Sequence, residues 1–210
     1  MNKKIILLIL TSLLIMASFG CAIAPTAEQY FREGLDLFEL GYYEEAIEKF
    51  DMALDINPNH TEARNYLSLS LYRNGIRRYI QEDYEGAIKN FERVLEMHPD
   101  HLAAKDYLGH SWYNRGYSLE TRSRYQEAIV SYEKAIEIDP DYKDAWWRKG
   151  YVLLQQRRYT ESIESYEKVI EIDPNDGSAW HNKGVAFQKL GFTSTALECF
   201  EKARELGYNQ

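Results

Sequence analysis

Three of the five histidines in this 210-residue chain are candidates for metal binding. His60, His98 and His101 each lie near a proline, and the last two share the sequence HPDH. No carboxylate or cysteine completes a metal-ligand spacing around them. The sequence also lacks a phosphate-binding loop, a nucleophile elbow and a catalytic zinc motif. It therefore predicts no catalytic residue, no metal site and no cofactor.

The two cysteines lie in different contexts. Cys199 belongs to a helical pattern with Ala196, Phe200 and Ala203, which favours a buried structural thiol. Cys21 instead follows the N-terminal segment MNKKIILLILTSLLIMASFG. Because one thiol ends a leader and the other lies in the last predicted helix, we expect no disulfide between them.

Residues 1–20 have the layout of a secretory signal peptide. Lys3 and Lys4 form a positive start, an apolar run follows, and the small residue Gly20 precedes Cys21. This junction resembles the lipobox of bacterial lipoproteins. The resemblance implies that Cys21 is acylated, for example with palmitate, and becomes the first residue of the mature protein.

The segment after the leader is short. Residues 21–26 would form the lipidated cysteine and its tether, so the first helix begins within roughly 20 Å of the lipid. The positive end of a leader tends to stay in the cytoplasm. We therefore expect the folded part, residues 27–210, in the cell envelope, lipid-anchored to a membrane on the extracytoplasmic side. An uncleaved N-terminal transmembrane anchor and an ordinary secreted form remain open alternatives.

One half-pattern recurs five times in the rest of the chain. Its copies begin at Gly41, Glu82, Ser123, Arg157 and Gly191. From Ser123 onward the copies repeat with a period of about 34 residues. The two earlier steps are a heptad longer.

In the first four copies a small residue is followed by an aromatic four positions later and a proline eight positions after that. These triplets are Ala46, Phe50, Pro58; Ala87, Phe91, Pro99; Ala128, Tyr132, Pro140; and Ser162, Tyr166, Pro174. The pattern and its period resemble the tetratricopeptide repeat (TPR) family.

The resemblance implies an all-α fold, a right-handed α-solenoid of five helix-turn-helix repeats. We call the first helix of each repeat helix A and the second helix B. The expected repeats span about residues 27–60, 61–101, 102–142, 143–176 and 177–210. At the end of the series, the charged Arg204 occupies the place of Ile170, so we expect no sixth repeat to follow, since terminal repeats need a polar outer face.

Repeats 2 and 3 are each seven residues longer than the family period. Seven residues are almost two helical turns and shift the packing stripe by only about 20°. Ile76, Tyr79 and Ile80 recur at helical spacing, so the sequence predicts longer helices A, over about 61–81 and 102–122. Gly75 and Gly116 lie inside them and could mark breaks, and an inserted loop is the competing interpretation.

In the TPR family, helices A line a concave groove that binds other proteins. The residues that the resemblance places there, or beside it, are Phe31, Phe38, Tyr72, Tyr79, His110, Tyr113, Tyr117, Trp147, Tyr151 and His181. Aromatic side chains bury a large area at low entropic cost, which suits the capture of a peptide or helix. The alternative is that these rings pack between adjacent helices A.

The carboxylate clamp of chaperone-binding members is not matched, because Phe31, Trp147 and Tyr151 stand where its Lys and Asn would be sought.

Basic residues gather at the predicted A–B turns. This basic edge comprises Arg77, Arg78, Arg122, Arg124, Arg157 and Arg158. Such a strip on an acidic protein could meet anionic lipid or an acidic partner. Alternatively, these residues pair with glutamates of helix B.

The formal net charge of −8 repels phosphate backbones, so we expect no nucleic acid partner. The sequence thus predicts a non-catalytic, membrane-anchored scaffold for a protein or peptide, as a monomer or within a hetero-complex. An assembly factor resembling pilotin lipoproteins, which help to build secretion or pilus channels, is the main alternative. A solute receptor or an enzyme would need a site that the sequence does not show.

Overall fold

The computed structural model of the protein describes residues 24–208, and within them every regular element is an α-helix. The ten helices are α1 Ala27–Glu39, α2 Tyr43–Ile56, α3 Thr61–Ile80, α4 Tyr84–Met97, α5 Leu102–Thr121, α6 Tyr125–Ile138, α7 Lys143–Gln155, α8 Tyr159–Ile172, α9 Gly177–Leu190 and α10 Thr193–Glu205. The predicted signal peptide and Cys21 lie outside the described residues. Within residues 24–208, no helix combines the length and apolar character that crossing a membrane requires.

The helices follow one another as five pairs, α1–α2 to α9–α10, and the predicted all-α fold of helix-turn-helix repeats is confirmed. The chain divides into two compact units between Leu67 and Ser68, within α3. The first unit holds α1, α2 and the start of α3. The second holds the rest of the chain, and there α4 packs on α5, α6 on α7, and α8 on α9.

Each pair is closed by a glycine of helix A lying against an aromatic ring of helix B. A Cβ built on Gly116 would lie 2.7 Å from Cε1 of Tyr132, which is far closer than van der Waals contact. The same arrangement recurs at Gly34–Phe50, Gly75–Phe91, Gly150–Tyr166 and Gly184–Phe200. The sequence separation between glycine and ring is identical in all five pairs. Only glycine lets the two helices approach this closely over the ring.

The prediction of two longer helices A is confirmed. Both α3 and α5 have 20 residues, against 13 or 14 in the other helices A, and neither is broken at its glycine. The inserted-loop alternative is wrong. Since the separation between glycine and ring is kept, the extra heptad precedes Gly75 and Gly116. A small buried residue, Ser68 or Gly109, then lies one heptad before each of these glycines.

The turn between helices A and B has one geometry throughout. One residue per turn adopts a left-handed backbone conformation, with φ between 58° and 88°. The five residues are Gly41, Glu82, Ser123, Arg157 and Gly191. In each turn the following amide donates to a carbonyl five residues earlier, as in Arg124 N to Leu119 O at 2.9 Å. These bonds satisfy helix-end carbonyls and stop helix A at the same place in every pair.

Candidate protein-binding surface

Five of the predicted groove residues share one structural position, three residues before the packing glycine. Their rings contact the helix B ring of the same pair, with centroids 5.2–6.2 Å apart. The contacts are Phe31–Phe50, Tyr72–Phe91, Tyr113–Tyr132, Trp147–Tyr166 and His181–Phe200. All five groove residues are half-buried. Part of the predicted aromatic stripe therefore serves to close the helix pairs.

In the first unit, Phe31 and Phe38 also pack against a residue that the sequence pattern did not single out. Tyr66 of α3 lies 6.0 Å from Phe31 and 5.4 Å from Phe38 between ring centroids. It also contacts Phe50 at 5.9 Å. These four rings form one cluster, so the two predicted residues are half-buried in packing rather than open to a ligand.

The second unit repeats this cluster one repeat later. Tyr107 of α5 stacks on Phe91 with a centroid distance of 5.4 Å and meets Tyr72 and Tyr79 edge-on. The hydroxyl of Tyr79 also accepts a hydrogen bond from Asn114 Nδ2 at 2.9 Å. Tyr66 and Tyr107 both lie eight residues after the inter-repeat proline. Two further predicted residues, Tyr72 and Tyr79, are thus held in place by a ring of the next helix A.

The next junction replaces the aromatic cluster with a polar network. Arg148 of α7, again eight residues after a proline, donates from Nη1 to Glu120 Oε1 at 3.1 Å. The hydroxyl of the buried Tyr132 donates to Glu120 Oε2 at 2.5 Å. The Glu120 side chain is only 9% exposed. Burial, reinforced by the hydrogen bond to Glu120, raises the pKa of Tyr132 far above its ordinary value. This carboxylate is thus paired on both oxygens, as a buried charge must be.

The same arginine lies against the exposed part of the predicted groove. Its guanidinium carbon is 4.6 Å from the ring centroid of Tyr117 and 5.8 Å from that of Trp147. Tyr117 is 43% exposed. His110 is also exposed and lies two turns earlier on the same face of α5. We call His110, Tyr117 and Arg148 the Tyr117 patch; it is where the predicted aromatic stripe reaches solvent.

Two of the predicted groove residues, Trp147 and Tyr151, stack on each other. Their rings are 5.7 Å apart and nearly parallel, at 10°. Trp147 Nε1 also donates to Ser178 Oγ of α9 at 2.9 Å. Tyr151 packs against the buried cluster of α5, α6 and α7. Both side chains are half-buried, and Trp147 lies beside Arg148 of the Tyr117 patch.

Much of the predicted basic edge is engaged in local ion pairs. Arg124 Nε donates to Glu127 at 2.7 Å, and Arg158 Nε donates to Glu161 at 2.7 Å. These hydrogen bonds hold the pKa of both glutamates below the usual value. At the turn before α4, Arg78 pairs with Asp83 and Arg77 donates to Asn74. Arg122 and Arg157 are exposed. The alternative expectation, pairing with glutamates of helix B, is therefore met by Arg124 and Arg158, whereas Arg78 pairs with the aspartate that caps helix B.

Two of the histidines act as helix caps. His60 Nδ1 accepts from the Ala63 amide at 3.3 Å, and His101 Nδ1 accepts from the Ala104 amide at 3.1 Å. Such caps satisfy amides that the first helical turn leaves without partners.

In residues 24–208, no group of three potential metal ligands comes together. Cys199 is a buried free thiol, and burial raises its pKa.

Helix pairs repeated along the chain, each closed by the same glycine–ring contact, define a helical-repeat protein. Family models described as tetratricopeptide repeat match residues 27–60, 75–143 with 113–177, and 165–203. Together these matches cover more than half of the chain. The chain belongs to the tetratricopeptide repeat family.

Solved structures similar to this chain include MamA, at 23% identity and a TM-score of 0.49 over 83% of this chain and 94% of that chain. YrrB, described as a TPR protein with an unusual peptide-binding site, has 22% identity and a TM-score of 0.46 over 86% of each chain. The N-terminal domain of stress-induced protein-1 from C. elegans has 23% identity and a TM-score of 0.47, over 50% of this chain and 87% of that chain. Among curated proteins, no sequence matches this chain.

The polar network generates a matched pair of predictions on two buried tyrosines. Tyr132→Phe should lower the free energy of unfolding by about 1.5–3 kcal/mol, because it removes a hydrogen bond to the buried charge of Glu120. Tyr166 occupies the same position in the next repeat, but its buried hydroxyl has no hydrogen-bond partner among the described residues. There Leu154 stands in the place of Glu120. Tyr166→Phe should therefore be neutral or stabilising by up to about 1 kcal/mol.

The measurement is the urea midpoint of each variant, monitored by circular dichroism. Equal losses of stability for both tyrosines would contradict the account of the network.

Proposed function

We propose that this chain is a non-catalytic scaffold that binds a partner protein or peptide through its helix A surface, centred on the Tyr117 patch. Membership of the tetratricopeptide repeat family supports binding as the mode of action, since solenoid repeats create extended binding surfaces. The proposal rests on one observation above all. Tyr117 is a large aromatic side chain left 43% exposed, while Tyr113, Trp147 and Tyr151 of the predicted stripe are half-buried.

The patch has the composition of a binding hot spot. Tyr and Arg are among the residues that contribute most to protein interfaces when they lie in well-packed surroundings. Here Arg148 is fixed by Glu120 and lies under the Tyr117 ring. A partner would therefore meet side chains that are already ordered, which lowers the entropic cost of binding.

Binding rather than catalysis fits the state of the titratable groups at the patch. Glu120 accepts hydrogen bonds from both Tyr132 and Arg148, so its charge is committed to holding the junction together. A catalytic carboxylate would need to face the reacting atoms instead. The exposed part of the patch consists of an aromatic ring, an imidazole and the edge of a guanidinium group, which suit contact with peptide side chains.

We further infer that the protein is anchored to a membrane by a lipid on Cys21, on the extracytoplasmic side. Support comes from the positive, apolar leader that ends with a small residue before the cysteine. A short tether would hold the repeats close to the membrane surface. A pilotin-type role in channel assembly would use the same anchor and the same surface, and deletion would then leave a channel subunit wrongly inserted.

If the Tyr117 patch binds the partner, truncating its side chains should reduce capture of that partner. The bait is the chain from Ala22 onward, used in a pull-down from detergent-solubilised membranes. Tyr117→Ala with His110→Ala should reduce capture at least tenfold, because hot-spot truncations cost about 2 kcal/mol or more. Both side chains are exposed, although Tyr117 contacts Arg148 and the His110 ring lies 5.6 Å from that of Tyr142. Circular dichroism should show that the double variant keeps its helical fold.

The control variant is Val130→Ala, which removes an exposed apolar side chain from helix α6. It should leave capture unchanged. Equal capture by all three baits would contradict the assignment of binding to the Tyr117 patch.

The proposed lipid anchor on Cys21 can be tested separately from the binding surface. Cys21→Ser should release the protein from the membrane fraction and abolish labelling by a palmitate analogue, because the other thiol of the predicted mature protein, Cys199, is buried. Fractionation with labelling measures both effects. A Cys21→Ser protein that stays in the membrane fraction would instead indicate an uncleaved N-terminal anchor.

A further inference from the structure

The last helix of the structure exposes an apolar position that is buried in every other repeat. Leu197 of α10 is 56% exposed. Its counterparts in the four preceding helices B are at most 8% exposed; they are Ile47, Ile88, Ile129 and Ile163. Leu190, the last residue of α9, and Phe192, in the turn that follows, are 40% and 58% exposed.

The structure shows what covers this position in the third pair. Ile129 belongs to a buried cluster with Val152 and Leu153, which lie on α7, the helix A of the following pair. Leu197 therefore occupies a place that, where a repeat follows, is packed against an incoming helix. In the described structure no helix of the chain lies on it.

Ion pairs between successive repeats indicate which charge a helix packed on α10 should carry. At three successive junctions of the second unit, the residue before the packing glycine of helix A is a cation that pairs with a glutamate of the preceding helix B. The pairs are Arg115–Glu85 at 2.9 Å, Lys149–Glu133 at 2.8 Å and Lys183–Glu167 at 2.8 Å. In the last two pairs the glutamate directly follows the helix B ring, whereas Glu85 lies a heptad earlier on its helix. Glu201 is the counterpart of Glu167 in the next helix B and is exposed on α10. It is the next anion of the series, and the described part of the chain supplies no following helix A to bring its cation.

We propose that the outer face of α10, formed by Leu197, Glu201 and Arg204, binds an amphipathic helix of a partner protein that presents an apolar stripe and a Lys or Arg opposite Glu201. Arg204 replaces Ile170 of the preceding pair, so this face is more polar than a junction between repeats. Such a surface suits a reversible partner rather than a permanent one.

A second copy of the chain, docking head to tail, is a poorer occupant. Its first helix A would be α1, in which the residue before the packing glycine is Glu33. That carboxylate pairs with Lys49 of its own helix pair at 2.6 Å. Glu33 would face Glu201, and like charges brought together oppose association. The proposal concerns a different surface from the Tyr117 patch and goes beyond the proposed function.

The probe is a peptide of residues 176–190, capped at both ends, crosslinked to hold the helix and labelled with a fluorophore. This is the sequence that covers helix B of the fourth pair, and it carries the cation Lys183. Anisotropy is measured on adding the chain from Ala22 onward. We expect saturable binding, at least tenfold weaker for Leu197→Asp, because a buried apolar contact becomes a buried charge.

A charge swap tests the ion pair itself. Glu201→Lys should weaken binding about two- to fivefold, the range of an exposed ion pair. The peptide with Lys183→Glu should recover that loss on the Glu201→Lys protein. Val130→Asp, at an exposed site on α6, is the matched control and should leave binding unchanged.

Three results would overturn the proposal. The first is the absence of saturable binding by a peptide that circular dichroism shows to be helical. Binding that neither Leu197→Asp nor Glu201→Lys alters is another. Self-association of the chain that Leu197→Asp abolishes, seen by sedimentation, would assign the face to a second copy.

Discussion

The contact between a glycine of helix A and a ring of helix B, always at the same sequence separation, is the constraint on which the rest of the structure depends. It fixes how closely two helices approach and which face of helix A points outward. Every other repeated contact is placed relative to it. The groove-type ring lies three residues before the glycine, the junction cation lies one residue before it, and the left-handed turn residue follows it by seven.

The seven extra residues of repeats 2 and 3 are tolerated because they respect this constraint. A heptad inserted before the glycine lengthens helix A without rotating its packing face appreciably. The longer helices A present more side chains that must be packed, and Tyr66 and Tyr107 take part through aromatic contacts. Where the helices return to regular length, Arg148 takes the same place and a polar network replaces the rings.

The fold was predictable from the sequence because its period, small residues, rings and prolines recur along the chain. The candidate surface was predictable only in part. Family positions identified Tyr117 and Trp147, but they did not reveal Glu120, because a lone glutamate on a helix resembles an ordinary solvent-facing residue. The pairing of Arg124 with Glu127 was readable from their three-residue spacing. The network of Glu120, Tyr132 and Arg148 joins three helices, and no local pattern encodes that.

The central claim is tested most directly by two glycine substitutions within α5. A Cβ at Gly116 would lie 2.7 Å from the Tyr132 ring, whereas the nearest atom to a Cβ at Gly109 is 3.5 Å away, on Ile138. Urea denaturation should show Gly116→Ala destabilised by about 1–3 kcal/mol through overpacking. Gly109→Ala should gain up to about 1 kcal/mol from helix propensity. Equal gains from both substitutions would contradict the claim that the glycine–ring contact sets the helix pair.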